Sequence, residues 1–405
     1  MRRLRHTRLA FIVVLGLATS ACTRGAEPPS GARPPAQRGD DSIGVAQPLP
    51  HVPFRVAHSA VWAGDRMLIW GGQRLTGARF MSDGLSYQPA TQEWTPIPQA
   101  PLTARADQVA VWTGSEMLVW AGGNPHLFEE VYGDGAAYNP ATKRWTPLPQ
   151  SPLSPRIYGT AVWTGREMIV WGGGVFGEPA EQPITQVVPS GTLYDDGATY
   201  DPVTKQWTVL PKAPIKGRTG HVAVWTGREM IVWGGGGIGE TNIAFKDGAA
   251  YNPTTRTWRT IPQAPLAPGF GPGYTAVWSG KEMLVWGGET GKGAAYDPET
   301  DSWTKLPDPP FGSLVLPASV WTGRVMLLWG ARERGSNDPA LGTAIGAAYD
   351  PATKRWTLLP KTPGSSGFGQ TAVWTGRNML VWGGFNNKGP FYSGVDYRPP
   401  DRFLP

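Results

Sequence analysis

Residues 161–173 read AVWTGREMIVWGG, and the same phrase recurs with small changes at 60–72, 110–122, 223–235, 276–288, 319–330 and 372–384. A second phrase, typified by GAAYNPATKRWTPLP at 135–149, follows each copy and is truncated after the seventh, at 397–405. The first tryptophans of the seven copies are Trp62, Trp112, Trp163, Trp225, Trp278, Trp321 and Trp374, a period near fifty residues. Each unit offers four short apolar segments rich in β-branched and aromatic residues, separated by Thr-Gly and Asn/Asp-Pro turn signals. No uninterrupted helical stretch follows residue 18. Four strands repeated at this period make a propeller blade, because one blade cannot bury its own faces and must stack on neighbours. The fold class expected is therefore all-β: a seven-bladed β-propeller.

The tryptophans carry the same message. The chain has 20, and every one falls at one of three addresses in the repeat, two in the first phrase and one in the second. Each ring removes about 150–250 Å² from water, worth several kcal/mol at about 25 cal/mol per Å² as an upper bound. The expectation is that they pack blade against blade and do not serve as ligand platforms. Gly 54 and Pro 41 are turn material, and 40% hydrophobic content is too high for a disordered chain.

The Gly-Gly pair after the second segment, the Tyr and Trp seven positions apart and the fifty-residue period resemble the kelch repeat. The resemblance covers residues 42–405 and implies a seven-bladed propeller of the kelch and galactose-oxidase-like superfamily. Here Trp precedes Gly-Gly where Tyr or Phe is usual, and unit six reads Gly330-Ala331. The seventh unit ends in RPPDRFLP, with no room for an outer strand, whereas Ile43 to Pro50 (IGVAQPLP) reads like one. The N-terminal segment is thus expected to complete the last blade and remove the open edges.

Ahead of the ring, MRRLRHTR followed by ten apolar residues from Leu9 to Ala18 forms an export signal, since ten residues rise only about 15 Å as a helix. The sequence around Cys22 resembles the lipobox of bacterial lipoproteins, which implies acylation of that thiol. Residues 1–22 are read as the signal ending at the lipidated Cys22, residues 23–41 as a Pro-rich tether and residues 42–405 as the propeller. The expected location is outside the cytoplasm, on a membrane facing the periplasm or at the cell surface. One cysteine excludes an internal disulfide framework and a multi-thiolate zinc site. The formal charge of +6 falls to 33 basic against 31 acidic groups once Arg2, Arg3, Arg5 and Arg8 are set aside, so no nucleic-acid partner is expected.

The loops between second and third strands vary from five residues to over twenty, while the turns at the other end repeat almost verbatim. The variable face is the expected functional face. Seven residues before the first Trp, units one to four carry Arg55, Arg105, Arg156 and Arg218, while units five to seven carry Gly271, Leu314 and Gly367. Asp83, Asp134, Asp196 and Asp247 precede the third strand in the same four units, where Lys292, Ile345 and Ser393 stand in the others. Two readings stay open: an ion pair within each blade, or a cationic half-ring for a carboxylate or sulfate.

His58, Asp107, Gln108, Tyr158, His221, Tyr274 and Gln370 lie four or five residues before their Trp and are candidates to line the channel mouth. His126, Glu129, Glu130 and Tyr132 are loop candidates. His58 and His221 fall in units one and four, too far apart in a ring to share a metal. No metal and no cofactor is expected. Galactose-oxidase activity is not expected either, because that cofactor needs a Cys bonded to Tyr. Neither a Gly-x-Ser-x-Gly elbow, a phosphate loop nor His-Glu-x-x-His occurs. The sequence thus points to a monomeric scaffold binding a protein or glycan ligand. The alternative is a carbohydrate-active enzyme, an epimerase, mutarotase or lyase, with an acid/base pair drawn from His58, His221, Tyr158 or Asp107.

Overall fold

The computed structural model describes residues 43–52, 54–74, 79–124, 130–176, 191–237, 244–267, 273–288, 290–312, 314–332, 344–360, 368–386, 389–390 and 394–405. They form seven antiparallel sheets, each built on a four-strand path. In blade one the strands are Ser59–Trp62, Met67–Trp70, Gly84–Gln88 and Glu93–Ile97, paired in that order. The innermost strands of the seven blades, from Ser59–Trp62 through Val109–Trp112, Thr160–Trp163, Val222–Trp225, Tyr274–Trp278 and Leu314–Trp321 to Phe368–Trp374, pack each against the next. Phe368–Trp374 returns to Ser59–Trp62, so the ring is closed. No α-helix occurs among the described residues; Asp401–Phe403 forms one 3-10 turn.

Closure follows the sequence expectation. Val45–Pro48 runs antiparallel to Val395–Arg398 as the outer strand of blade seven, with Val45 opposite Arg398 and Pro48 opposite Val395. Tyr397 Oη donates to Ile43 O at 2.8 Å. Blade seven has no outer tryptophan, and Phe403 fills its place in the layer between blades six and seven.

Seven hydrophobic layers alternate with the blades, one per interface. The second-strand tryptophans Trp70, Trp120, Trp171, Trp233, Trp286, Trp329 and Trp382 are at most 1% exposed. Each outer-strand tryptophan rests on its own blade's tyrosine, as Trp145 does on Tyr138 at 5.0 Å. It also meets the buried tryptophan of the preceding blade, as Trp145 meets Trp70 at 5.9 Å. Its indole N–H then donates to a proline carbonyl of the strand before: Trp94 to Pro50, Trp145 to Pro98, Trp207 to Pro149, Trp258 to Pro211, Trp303 to Pro262 and Trp356 to Pro307. The ring buries its apolar face while the one polar atom keeps an acceptor, so these tryptophans fix the spacing between blades as well as filling it.

The two ends of the ring differ. At one end lie the short turns between first and second strands and between third and fourth, where Thr or Ser hydroxyls and Asn or Asp carboxamides and carboxylates cap backbone N–H groups. Thr164 Oγ1 accepts from Glu167 N at 2.9 Å, and Asn139 Oδ1 accepts from Ala141 N at 3.0 Å. At the other end lie the heads of the first strands and the variable loops, with small hairpins at Gln73–Arg74 with Arg79–Phe80 and at Gly174–Phe176 with Gly191–Leu193. Unit six, which lacks the second glycine, continues its strand from Met326 to Arg332 and takes up the offset in a bulge between Val315 and Ala318.

Candidate functional site at the channel mouth

The four arginines are enclosed, with side chains at most 2% exposed. Each pairs with the aspartate of its own blade: Arg55 with Asp83 at 3.1 Å, Arg105 with Asp134 at 2.6 Å, Arg156 with Asp196 at 2.8 Å and Arg218 with Asp247 at 2.9 Å. The guanidinium also donates to the carbonyl sixteen residues on, where the second strand ends: Gly71, Ala121, Gly172 and Gly234 at 3.0–3.2 Å. In blades two to four it lies over an aromatic ring, Tyr132, Tyr194 and Phe245, at 4.3, 4.3 and 4.4 Å. That ring sits two residues before the aspartate, a spacing legible in the sequence and overlooked there; blade one has Met81 instead.

A charge this deeply buried is tolerated because a carboxylate and backbone carbonyls accept from it, with a π-cloud beside it in blades two to four. The arginine backbone reaches the other way, to the neighbouring blade. Gly72 N donates to Arg105 O at 2.8 Å, Gly122 N to Arg156 O at 3.0 Å, Gly173 N to Arg218 O at 2.9 Å and Gly384 N to Arg55 O at 3.3 Å. Each arginine therefore locks its own loop and ties two blades together. In blade five Lys292 pairs with Asp308 across the same end of the sheet. Gly271, Gly367, Ser393, His126, Glu129 and Cys22 lie outside the described residues. Glu130 accepts from Asn124 Nδ2 at 3.1 Å.

The remaining candidates split by a single residue of phase. Those four before the first Trp point between blades. His58 Nε2 is hydrogen-bonded to Thr371 Oγ1 of blade seven at 2.7 Å and meets Trp382 edge-on at 5.1 Å. His221 repeats this with Thr160 at 2.8 Å and Trp171 at 5.2 Å. Gln108 Nε2 donates to Trp70 O at 2.9 Å, and Gln370 Nε2 donates to Trp329 O at 2.6 Å. Tyr274 meets Trp233 edge-on at 5.1 Å and donates to Ala267 O at 2.7 Å. The first glycine of the Gly-Gly pair makes room for this side chain of the next blade. A Cβ on Gly172 would stand 2.6 Å from His221 Cε1, and one on Gly383 would stand 2.5 Å from His58 Cε1. These residues were expected at the wet mouth; the structure encloses them in the layers. Burial, reinforced by Arg55 and Arg218, pushes both imidazoles down to about 3, so they are neutral at ordinary pH.

The residues five before the Trp turn the other way. Asp107 and Tyr158 sit at the heads of adjacent inner strands, partly accessible, with the Tyr158 hydroxyl donating to the Asp107 carboxylate. Burial pushes the Asp107 carboxyl up to about 7, opposed by that hydrogen bond. Among the described residues no group of three His, Cys, Asp or Glu is placed to hold a metal ion.

Seven four-stranded blades, the Gly-Gly turn and the Tyr/Trp pair in the outer hairpins of blades one to six settle the class of propeller. The chain is a kelch-repeat β-propeller. The KLHDC2/KLHL20/DRC7 Kelch-repeats domain matches residues 45–235, from the closing strand to the glycine pair of blade four. Similar proteins include Kelch-like protein terF of Aspergillus terreus, 27% identical over 243 residues, 58% of this chain and 50% of that one. Kelch domain-containing protein 3 of Bos taurus is 26% identical over 239 residues, 56% of this chain and 57% of that protein. The Homo sapiens protein of the same name is 26% identical over 224 residues, 52% of this chain and 55% of its own. The kelch propeller thus spans about half the length of these curated relatives.

Proposed function

We propose that this kelch propeller is a lipid-anchored, extracytoplasmic binding scaffold that holds a protein or glycan at its variable loop face. A kelch propeller is consistent with a binding scaffold. The polarity of the ring supports the choice of the loop face. Val45 lies opposite Arg398, at the end of blade seven that bears the short constant turns. The first described strand therefore enters the ring on the constant face, at the end opposite the variable loops. Enclosure of the four arginines and two histidines supports binding over catalysis, because those groups already serve the fold. The enzyme reading rests on one observation, the Asp107–Tyr158 pair, whose Asp107 is an acid near neutrality among the described candidates.

Metabolic labelling with a clickable fatty acid tests the anchor. The full chain should label and sediment with membranes, and Cys22→Ser should do neither; equal sedimentation of both would refute it. A photo-crosslinking residue at Tyr194, beside the loops, should capture a ligand that the same residue at Arg228, on the constant turns, does not. Equal capture from both faces would refute the loop-face assignment.

A further inference from the structure

The head of each inner strand turns on the residue five before its first Trp, and in six blades that residue has a left-handed backbone: φ is 51° at Ala57, 56° at Asp107 and Tyr158, 62° at Gly220, 42° at Leu316 and 71° at Gly369. Glycine takes this conformation without cost, and blades four and seven use it. An L-residue costs about 1–2 kcal/mol there, and a bulky aromatic is an outlier. Blades two and three accept that cost with the two side chains that hydrogen-bond each other. Strain kept at a rim is an observation from which a function can be inferred.

The surroundings define what the pair is open to. Ala106, Gln108 and Ile157, its chain neighbours, turn into the layers and are buried. Asp107 N donates to Ala57 O at 3.0 Å, which sets Ala57, Asp107 and Tyr158 in one arc along the mouth. At the same position the flanking blades one and four carry Ala57 and Gly220.

Among the described residues the arginines of the same two blades are committed, Arg105 to Asp134 and Arg156 to Asp196. Among the described residues none forms an ion pair with Asp107. Tyr132 and Tyr194 cover the two arginines, so the described residues at the mouth of blades two and three present carboxylates and phenols. An aspartate held in such a site lacks a counter-ion, and a ligand that brings one relieves its desolvation.

We propose that Asp107 and Tyr158 form a receptor at the channel mouth for a primary ammonium group, with the Asp107 carboxylate as counter-ion and Tyr158 Oη as a second acceptor. This deepens the loop-face reading by naming the chemistry of the ligand head, and it rests on that reading. The ammonium can belong to an amino sugar or to a lysyl side chain. Binding requires the ionised carboxyl, so protons compete. With Asp107 near 7 in the free protein, affinity should fall about tenfold between pH 8 and pH 6.

The test is calorimetric titration of the detergent-solubilised full chain with glucosamine and Nα-acetyl-lysine amide, beside glucose and N-acetylglucosamine as neutral counterparts. The lysine probe should bind with the stated pH dependence and glucosamine with a shallower one, because its own amine loses its proton as the pH approaches 8; both should release a proton at pH 6, where both are ammonium ions, and the tighter of the two at that pH names the source. Neutral sugars binding as well, affinity independent of pH, or no probe binding at all would each overturn the proposal. Asp107→Asn should abolish ammonium binding while raising the melting temperature at pH 8, where it removes an uncompensated charge, and not at pH 4.5. Retained binding would overturn the proposal. Should that variant fold poorly, Tyr158→Phe decides: its loss of the hydrogen bond should move the pH midpoint of binding upward, and an unmoved midpoint counts against the pair. None of these measurements depends on membrane attachment, so loss of fatty-acid labelling in the anchor experiment leaves this result standing, and the converse holds.

Discussion

Replacing His58 and His221 together by Gln isolates the contribution of the blade interfaces to acid stability. Gln is the residue that blades two and seven use at the same address, where Gln108 and Gln370 donate to the tryptophan carbonyl of the preceding blade. The exchange thus keeps a donor and removes a titration. Both imidazoles fall from an ordinary 6.5 to about 3 in the fold. The unfolded chain takes up these protons first, so the stability they contribute is complete above 6.5 and is lost as the pH falls from there toward 3. The slope is about 1.4 kcal/mol per pH unit for each histidine. At pH 5 the loss is about 2 kcal/mol each, or about 4 kcal/mol for the pair.

Urea unfolding followed by tryptophan fluorescence at pH 7.5 and pH 5, on the wild type and the double variant, measures this as a difference of differences. Asp107 titrates with the opposite sign in part of that range, but it is common to both proteins and cancels. The wild type should lose several kcal/mol relative to the variant on going to pH 5. A gap between the two proteins that is the same at both pH values would show that these imidazoles are not buried as neutral groups, and would refute the enclosure argued for them.

Two further outcomes bear on the architecture. Arg156→Ala removes a buried guanidinium bonded to Ser154 O, Gly172 O and Asp196 and should cost about 3–5 kcal/mol in urea unfolding; a loss below about 1 kcal/mol would mean that the pair does not hold the loop. Deleting residues 42–50 strips the outer strand from blade seven and the acceptor of Trp94. Limited proteolysis should then cut blade seven first and size-exclusion chromatography should show association through the exposed edge, whereas a monomer with wild-type protease resistance would argue against closure by this strand.

Blade number, strand order and ring closure were legible in the sequence because they rest on period. A fifty-residue phrase with Gly-Gly and Asn/Asp-Pro at fixed places leaves the chain one way to bury its tryptophans, and IGVAQPLP matches the outer strand that the last unit lacks. The coupled appearance of Arg and Asp in units one to four offered the ion pair as one of two readings, and the structure forms it; the aromatic ring two residues before each Asp in blades two to four was missed. Tertiary structure alone decided which mouth candidates face a neighbour and which face the channel. Successive residues of a strand point to opposite sides, and the left-handed turn at the head of six of the seven inner strands resets that alternation. His58, Gln108, His221, Tyr274 and Gln370 are therefore enclosed, while Asp107 and Tyr158, one position earlier, are turned toward the channel mouth. A difference of one residue in spacing carries no compositional signal, and only the backbone angle at that turn assigns the side.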